Sequence, residues 1–306
     1  MSQAPASAAA AADPQQAELV QRAIKEISHI ATLPEVTMKI IQLVENPNST
    51  AQDLNKVISN DPALGARILK VVNSAFYGLP RQIGSINRAV VLLGLNAVKN
   101  IAIAASLAKL FRGGELGPHF SARSLWTHSL ATAAASRLLA DRLQLRMSDE
   151  AFLAGLIHDI GIMVELQSNR HKLAEVFDRM EFDADGAPRT DMLEVERLVF
   201  GADHQAFGQA LCEAWKFPRS LGFVAGGHHD PLEVPEHDRT LTWVVHVADR
   251  LVARAGFGFG GDLLSRAPDP ESLRALGLRN DVVEGIAADL PRAVTSVEAT
   301  FSAAAS

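Results

Sequence analysis

The amino-acid sequence predicts an all-α protein, on three observations. Apolar residues recur at helical spacing through most of the 306 residues, the i, i+3/i+4, i+7 pattern of helices with one buried face. Helix-start signals recur at regular intervals: Thr50 with Asp53, Asp61 with Pro62, and Ser85. Sustained period-2 runs and Asn-Gly hairpin turns, the marks of strands, are nearly absent.

The elements follow in order. The opening MSQAPASAAAAADPQQ is Ala-rich and polar, and residues 1–17 read as a disordered tail. Val36, Ile40, Leu43 and Val44 share one helix face, and that helix stops in ENPNS, where Pro47 and two asparagines break it. Thr50 caps the next helix, with Asp53 completing a capping box and Leu54, Val57 and Ile58 forming the inward stripe. Asp61 and Pro62 set a cap and a first-turn proline before Leu64, Ile68, Leu69 and Val72. NSAFYGLP ends that helix; Phe76 and Tyr77 in it read as a packed loop or a docking surface. Ser85 caps another helix, 95–111 supplies one more, and RGGELG closes the block. Helices then span about 122–140, 148–160, 171–180, 191–200, 203–215, 218–228 and 238–255. GFGFGGD interrupts, and two or three weaker helices fill 271–303.

Composition narrows the function. A length of 306 residues suits one to three domains with a real core. DNA binding through the short helices at 50–77 is one reading, with Arg67, Lys70, Arg81 and Arg88 giving some positive charge there. The net charge of −6 and pI near 5.9 argue against a nucleic-acid surface, which needs clustered Lys and Arg. Cys212 is the only cysteine, so no internal disulfide forms, and a reducing, cytoplasmic setting is expected. The start lacks the basic and apolar regions of a secretory leader. NIAIAASLAKLF, with the VVLLGL before it, is interrupted by Gly94, Asn96, Lys99 and Asn100, and reads as a buried core helix, not a membrane span.

The chemistry lies in where the histidines and aspartates fall. GLIHDIGIM puts His158 and Asp159 inside a greasy run, where an ionised carboxylate is costly unless paired or metal-bound. His128 shares a helix face with Leu125, Thr132, Ala135 and Leu139; His204 lines up with Phe207, Gly208 and Leu211; Asp249 lines up with Val245 and Val252. His228 and His229 end a glycine-rich helix. Any one of these suits an ordinary core residue, and Asp249 has Arg250 and Arg254 on its own helix, on poorly matched faces. His246, one turn before Asp249, reads as a supporting group or core. His29, His119, His171 and His237 sit in polar or loop-like settings. Together, His128, His158, Asp159, His204, His228, His229 and Asp249 exceed what one tetrahedral ion uses. They suit two divalent transition-metal ions (Fe, Mn, Zn or Ni) sharing a carboxylate, the arrangement of metal-assisted phosphoester hydrolysis.

The order His128, His158-Asp159, Asp249 resembles the ligand series of the HD superfamily of metal-dependent phosphohydrolases. His204 and the His228-His229 pair resemble the two-metal HD-GYP phosphodiesterases. Longer stretches, LPEVTMKIIQLVENPNSTAQDLNKVISNDPALGARILKVVNSAFYGLP, SINRAVVLLGLNAVKNI, LWTHSLATAAASRLLA, AFLAGLIHDIGIM, GADHQAFGQALCEAW and TWVVHVADRLV, are similar to the HDOD family. The resemblance covers about residues 26–255 and, more weakly, LRALGL and beyond. It implies an N-terminal helical bundle packed on an HD-like helical bundle. The HDOD domain then spans 18–302, with an N-terminal helical half at 18–118, an HD-like metal-site half at 119–256 and C-terminal helices at 257–302.

The resemblance also implies a bacterial regulatory module in signal transduction, one that commonly lacks demonstrated catalysis. HD-GYP enzymes follow HDIG with a lysine that contacts the substrate phosphate; this chain has Ile162. Gly-Tyr-Pro should follow the double histidine; here the text reads HHDPLEVPEHDRT. The glutamate of three-metal versions, one turn before the first histidine, is Ser124. The metal shell reads as kept and the phosphate-binding shell as lost, and losing one such charge donor commonly costs on the order of 10²–10³ in rate. The expectation is therefore a regulatory module with other signalling proteins as partners and self-association left open. The alternative is a metal-dependent phosphohydrolase acting on a phosphoester or nucleotide, with Asp159 bridging two ions.

Overall fold

A computed structural model describes residues 14–27, 35–46, 48–74, 77–108, 110–111, 114–184 and 186–305. Pro47, Phe76, His29 and residues 1–13 of the expected tail lie outside the described residues. Helix α1 (Pro14–Glu26) starts earlier than expected, so residues 14–17 are helical. Pro14 at the first helical position needs no N–H partner and has φ already set for a helix. Val20, Ile24 and Ile27 are buried from this helix. It packs against helices of the second half.

The N-terminal bundle is α2 (Glu35–Glu45), α3 (Ala51–Ser59), α4 (Pro62–Val72), α5 (Ile86–Leu93) and α6 (Leu95–Leu107). The expected caps form. Thr50 Oγ1 accepts from Asp53 N at 3.2 Å while Asp53 Oδ2 accepts from Thr50 N at 3.1 Å. Asp61 accepts from Leu64 N at 2.9 Å ahead of Pro62, and Ser85 accepts from Arg88 N at 3.3 Å. Ile40, Ile41, Leu54, Ile58, Leu64 and Ile68 fill the centre around α6, which is buried along most of its length. Lys99 is buried in that helix and donates to the Leu43 carbonyl near the end of α2, satisfying an acceptor that the helix itself leaves open.

A small hairpin, β1 (Glu115–Leu116) with antiparallel β2 (Phe120–Ser121), lies where no strand was expected. Two-residue strands are too short to produce a period-2 signal. The second half contains α7 (Ala122–Arg142), α8 (Ser148–Ile157), α9 (Ile160–Ser168), α10 (Arg170–Arg179), α11 (Met192–Phe200), α12 (His204–Ala214), α13 (Arg219–Gly227) and α14 (Arg239–Arg254). The single helix expected at 148–160 is instead two, broken at His158-Asp159. Residues 148–168 are together long and apolar enough to cross a membrane, but 89% of that window is buried inside the bundle.

The C-terminal helices are α15 (Pro270–Ala275) and α16 (Asn280–Ala305). They are two, within the expected two or three, but α16 is stronger than expected: one 26-residue helix that continues through Pro291. Proline there removes a hydrogen bond and crowds the preceding turn. The buried stripe Ile286, Leu290, Val294, Val297 and Phe301 continues across it, and packing against α7 and α4 overrides the local rule. The halves share one core: α6 meets α8, α16 spans α7 and α4, and Tyr77 sits beneath the Arg137 guanidinium of α7 at 4.7 Å.

Candidate metal centre

Each donor reaches the centre from a different helix position. His128 projects from the middle of α7, on the buried stripe with Leu125, Thr132, Ala135 and Leu139. His158 and Asp159 sit at the joint between α8 and α9, where the chain leaves helical geometry at Asp159 (φ −95°, ψ 15°). Gly161 permits this joint. A Cβ there would lie 1.8 Å from the His204 carbonyl oxygen, so α9 and α12 touch backbone to backbone. His204 opens α12, His228 and His229 follow α13, and Asp249 faces inward from α14.

The expected side chains converge. Asp159 Oδ2 lies 3.2 Å from His158 Nε2 and 3.6 Å from His128 Nε2. Asp249 Oδ1 is 3.0 Å from His128 Nε2 and 3.8 Å from His158 Nε2. On the other side, Asp159 Oδ1 is 3.3 Å from His228 Nε2 and 3.7 Å from His204 Nε2, and His204 Nε2 is 3.1 Å from His229 Nε2. Donors about 2.0–2.2 Å from one ion sit about 3–3.6 Å from each other. The two sets therefore have the spacing of two ion positions, with one oxygen of Asp159 turned to each. Arg250 and Arg254 do not reach Asp249; they contact His246 and Glu284.

Neighbouring acceptors fix the imidazoles for this task. The Gly155 carbonyl accepts from His158 Nδ1 at 2.8 Å and the Val224 carbonyl from His228 Nδ1 at 3.2 Å. A carbonyl can only accept, so these Nδ1 atoms carry hydrogen and leave Nε2 lone pairs facing Asp159. His204 Nδ1 meets both Glu196 oxygens at 2.9 and 3.0 Å, and Glu196 also accepts from the His204 backbone N–H at 2.9 Å. A carboxylate behind a ligating histidine is the usual outer support of a metal site. His246 is a support, not a donor: its Nδ1 donates to the His228 carbonyl at 2.7 Å and its Nε2 meets Asp269 at 3.0 Å.

Electrostatics bind the cluster together. Burial opposes the charged form of Asp159, yet the neighbouring His158 first, and then His228, outweigh it and hold its carboxyl well below the usual range. Asp249 behaves alike, with burial outweighed by His128 and His158. Burial works against a proton on His204, but Glu196 outweighs it and pushes His204 up to about 10. Burial drives His228 down to about 4. Both carboxylate oxygens of Asp159 and of Asp249 are buried without a hydrogen bond. Such oxygens are expensive to keep unless a cation faces them. Nitrogen and oxygen donors, orphaned carboxylates and ion-sized spacing fit the expected divalent metals.

Three residues escaped the sequence reading. Glu196 lies on the buried face of α11 with Met192, Val195 and Phe200, the same stripe signal that marked Asp249. Asp262 enters from the glycine-rich segment after α14, beyond the expected 119–256 half, with Oδ2 3.6 Å from His229 Nε2. Glu165, also unforeseen, is buried behind Glu196; burial first, then the Glu196 charge, pushes it well above the carboxylate range. Ile162, at the position expected to hold lysine, is fully buried, and Ser124 caps α7 with its Oγ donating to Ser121 O. A cavity of about 560 Å³ is walled by Phe257–Gly261, His119, Phe182 and Arg266; none of the expected ligands lines it.

The comparisons with known proteins agree with this layout. An HDOD domain profile matches residues 30–231. A curated, uncharacterised protein of Treponema pallidum (strain Nichols) is 24% identical over 228 residues, covering 74% of this chain and 42% of that protein. The chain thus spans less than half the length of that relative. A Geobacter sulfurreducens HDOD protein of unknown function superposes with a TM-score of 0.76 at 23% identity, covering 94% and 98% of the two chains. A candidate phosphohydrolase from Shewanella amazonensis SB2B gives 0.70 at 22%, with the same coverage. A candidate signal transduction protein from Marinobacter aquaeolei VT8 gives 0.75 at 21%, covering 95% of this chain and 66% of that one. At these identities the structural matches speak to the fold.

Proposed function

The chain belongs to the HDOD family, and on that premise we propose that it is a regulatory module of signal transduction whose buried HD-type centre holds two divalent transition-metal ions in a structural role. The observation that carries this reading is the enclosure of the donors. His128, His158, Asp159, His204, His228 and Asp249 are all fully buried, and His229 is only 11% exposed at its side chain. A phosphoester needs a route to the centre and a cation to meet its oxygens. At the position where catalytic relatives carry a lysine, this chain has buried Ile162. When bound, the metal would compensate the carboxylates of Asp159 and Asp249 and join α7, α8, α12, α13 and α14 at one point. The module acts in the cytoplasm by association with other signalling proteins, a role supported by its acidic balance and its single buried Cys212.

One observation favours a second reading, a metal-dependent phosphohydrolase. The two oxygens of Asp159 divide the donors into two sets, as two-metal hydrolases require. Two measurements decide between the readings. Elemental analysis of chain purified without chelator under anaerobic conditions should find one or two transition-metal ions per chain; their stoichiometric absence overturns the metal claim. The same preparation should give no turnover of a bis-aryl phosphodiester above background. Turnover that is abolished by Asp159→Ala with the fold intact would establish the hydrolase instead.

A further inference from the structure

We propose that Asp262 is a further ligand of the metal centre, carried in by the glycine-rich segment Gly256–Asp262, and that it closes the centre on its His229 side. This rests on the reading of the centre as metal-holding.

The Asp262 side chain is fully buried, and neither of its oxygens has a hydrogen-bond partner. Its Oδ2 is 3.6 Å from His229 Nε2, which is itself 3.1 Å from His204 Nε2. The Asp262–His229 separation matches that of neighbouring donors on one ion. The cation nearest in sequence, Arg266, is turned elsewhere and donates to the Gly260 carbonyl at 3.3 Å. A buried carboxylate without a hydrogen bond is stabilised by a cation, and among the described residues the donor set beside it is that of His204, His228 and His229.

The segment is shaped to make this delivery. Gly258 has φ +74°, and a Cβ there would fall 2.4 Å from the Ser124 carbonyl oxygen and 2.5 Å from the His128 backbone nitrogen. Phe259 N donates to the same Ser124 carbonyl at 3.0 Å, and its ring packs on Phe120 and Phe177 at 5.6 and 6.0 Å. The backbone is thereby pinned one turn ahead of His128, and Asp262 falls over the centre. A protein oxygen then takes a coordination position that a substrate phosphate would need.

The test is zinc titration of the full chain, stripped of metal, against a competing chelator, with elemental analysis and thermal melting alongside. Wild type should take up two ions. Asp262→Asn, an isosteric change, should keep the ion on the His128/His158/Asp249 side and bind the second at least about 10–100-fold more weakly. Without metal this variant should melt no lower than wild type, because it loses a buried charge and no hydrogen bond; with zinc it should melt lower. Gly258→Ala should also weaken the second ion by displacing the segment, without the selectivity of Asp262→Asn, because the added methyl presses on the His128 backbone too. If Gly258→Ala does not fold, Asp262→Asn decides alone. Wild-type stoichiometry and affinity in Asp262→Asn overturn the proposal and leave the centre standing. So does an equal drop in melting temperature with and without zinc, the mark of a packing role. Failure of wild type itself to bind zinc overturns both this proposal and the reading beneath it, and is told apart by occurring before any substitution.

Discussion

Asp159 is the residue on which the centre turns, because its two oxygens address different histidines: Oδ2 faces His158 and His128, Oδ1 faces His228 and His204. The histidines work only if their rings are held, and Glu196 holds His204 through both carboxylate oxygens. Glu196→Gln replaces a charge-assisted bond with a neutral one while keeping the shape. It should weaken metal binding by roughly 10–100-fold, read by chelator competition; an unchanged affinity would show that His204 is oriented by packing alone. His128, His204 and Asp249 were legible in the sequence because each interrupts an apolar stripe on a regular helix. Glu196 carried the same signal. Asp262 did not: it sits in a loop, where no period relates sequence position to direction, and only the tertiary path of the segment brings it inward.

At the scale of elements, the break between α8 and α9 is what allows adjacent residues His158 and Asp159 both to face the centre. The sequence reading ended one helix near residue 160 and did not foresee α9 beyond it; the joint depends on the close approach of α9 to α12. That approach is testable at Gly161. A methyl group there would sit 1.8 Å from backbone at His204, which cannot swing aside as a side chain can. Gly161→Ala should destabilise the fold by about 1–3 kcal/mol or more, measured by urea unfolding, and should weaken metal binding along with it. Full stability in this variant would mean that the two helices can part without cost. The long α16 is the converse case. A modest pattern suggested two or three weak helices, whereas burial against two neighbours sustains one long helix through Pro291. Capping signals, by contrast, were read correctly at Thr50, Asp61 and Ser85, since a cap is satisfied within four residues of itself.

For the whole molecule, metal should act as a stabiliser whose strength depends on pH. Free metal at 1,000 times its Kd adds about 4 kcal/mol of stability per site, so chelation should lower the melting temperature markedly. In the metal-free fold His204 keeps its proton up to about 10, against about 6.5 in an unfolded chain. That proton supports the metal-free fold fully below about pH 6.5, and the support fades as pH rises through 10. Metal must expel it, so loading should release protons and apparent affinity should climb between about pH 6 and pH 9. Calorimetry in buffers of different ionisation enthalpy measures this; a proton count of zero would mean that His204 is already neutral. The path of α16 has a consequence of another kind. Its buried stripe, Ile286 to Phe301, lies against both α7 and α4, so on the ribosome neither half finds its last wall until that stretch has cleared the exit tunnel. Assembly of the bundle therefore waits for that stretch, and nascent intermediates must shield an unfinished core until it emerges.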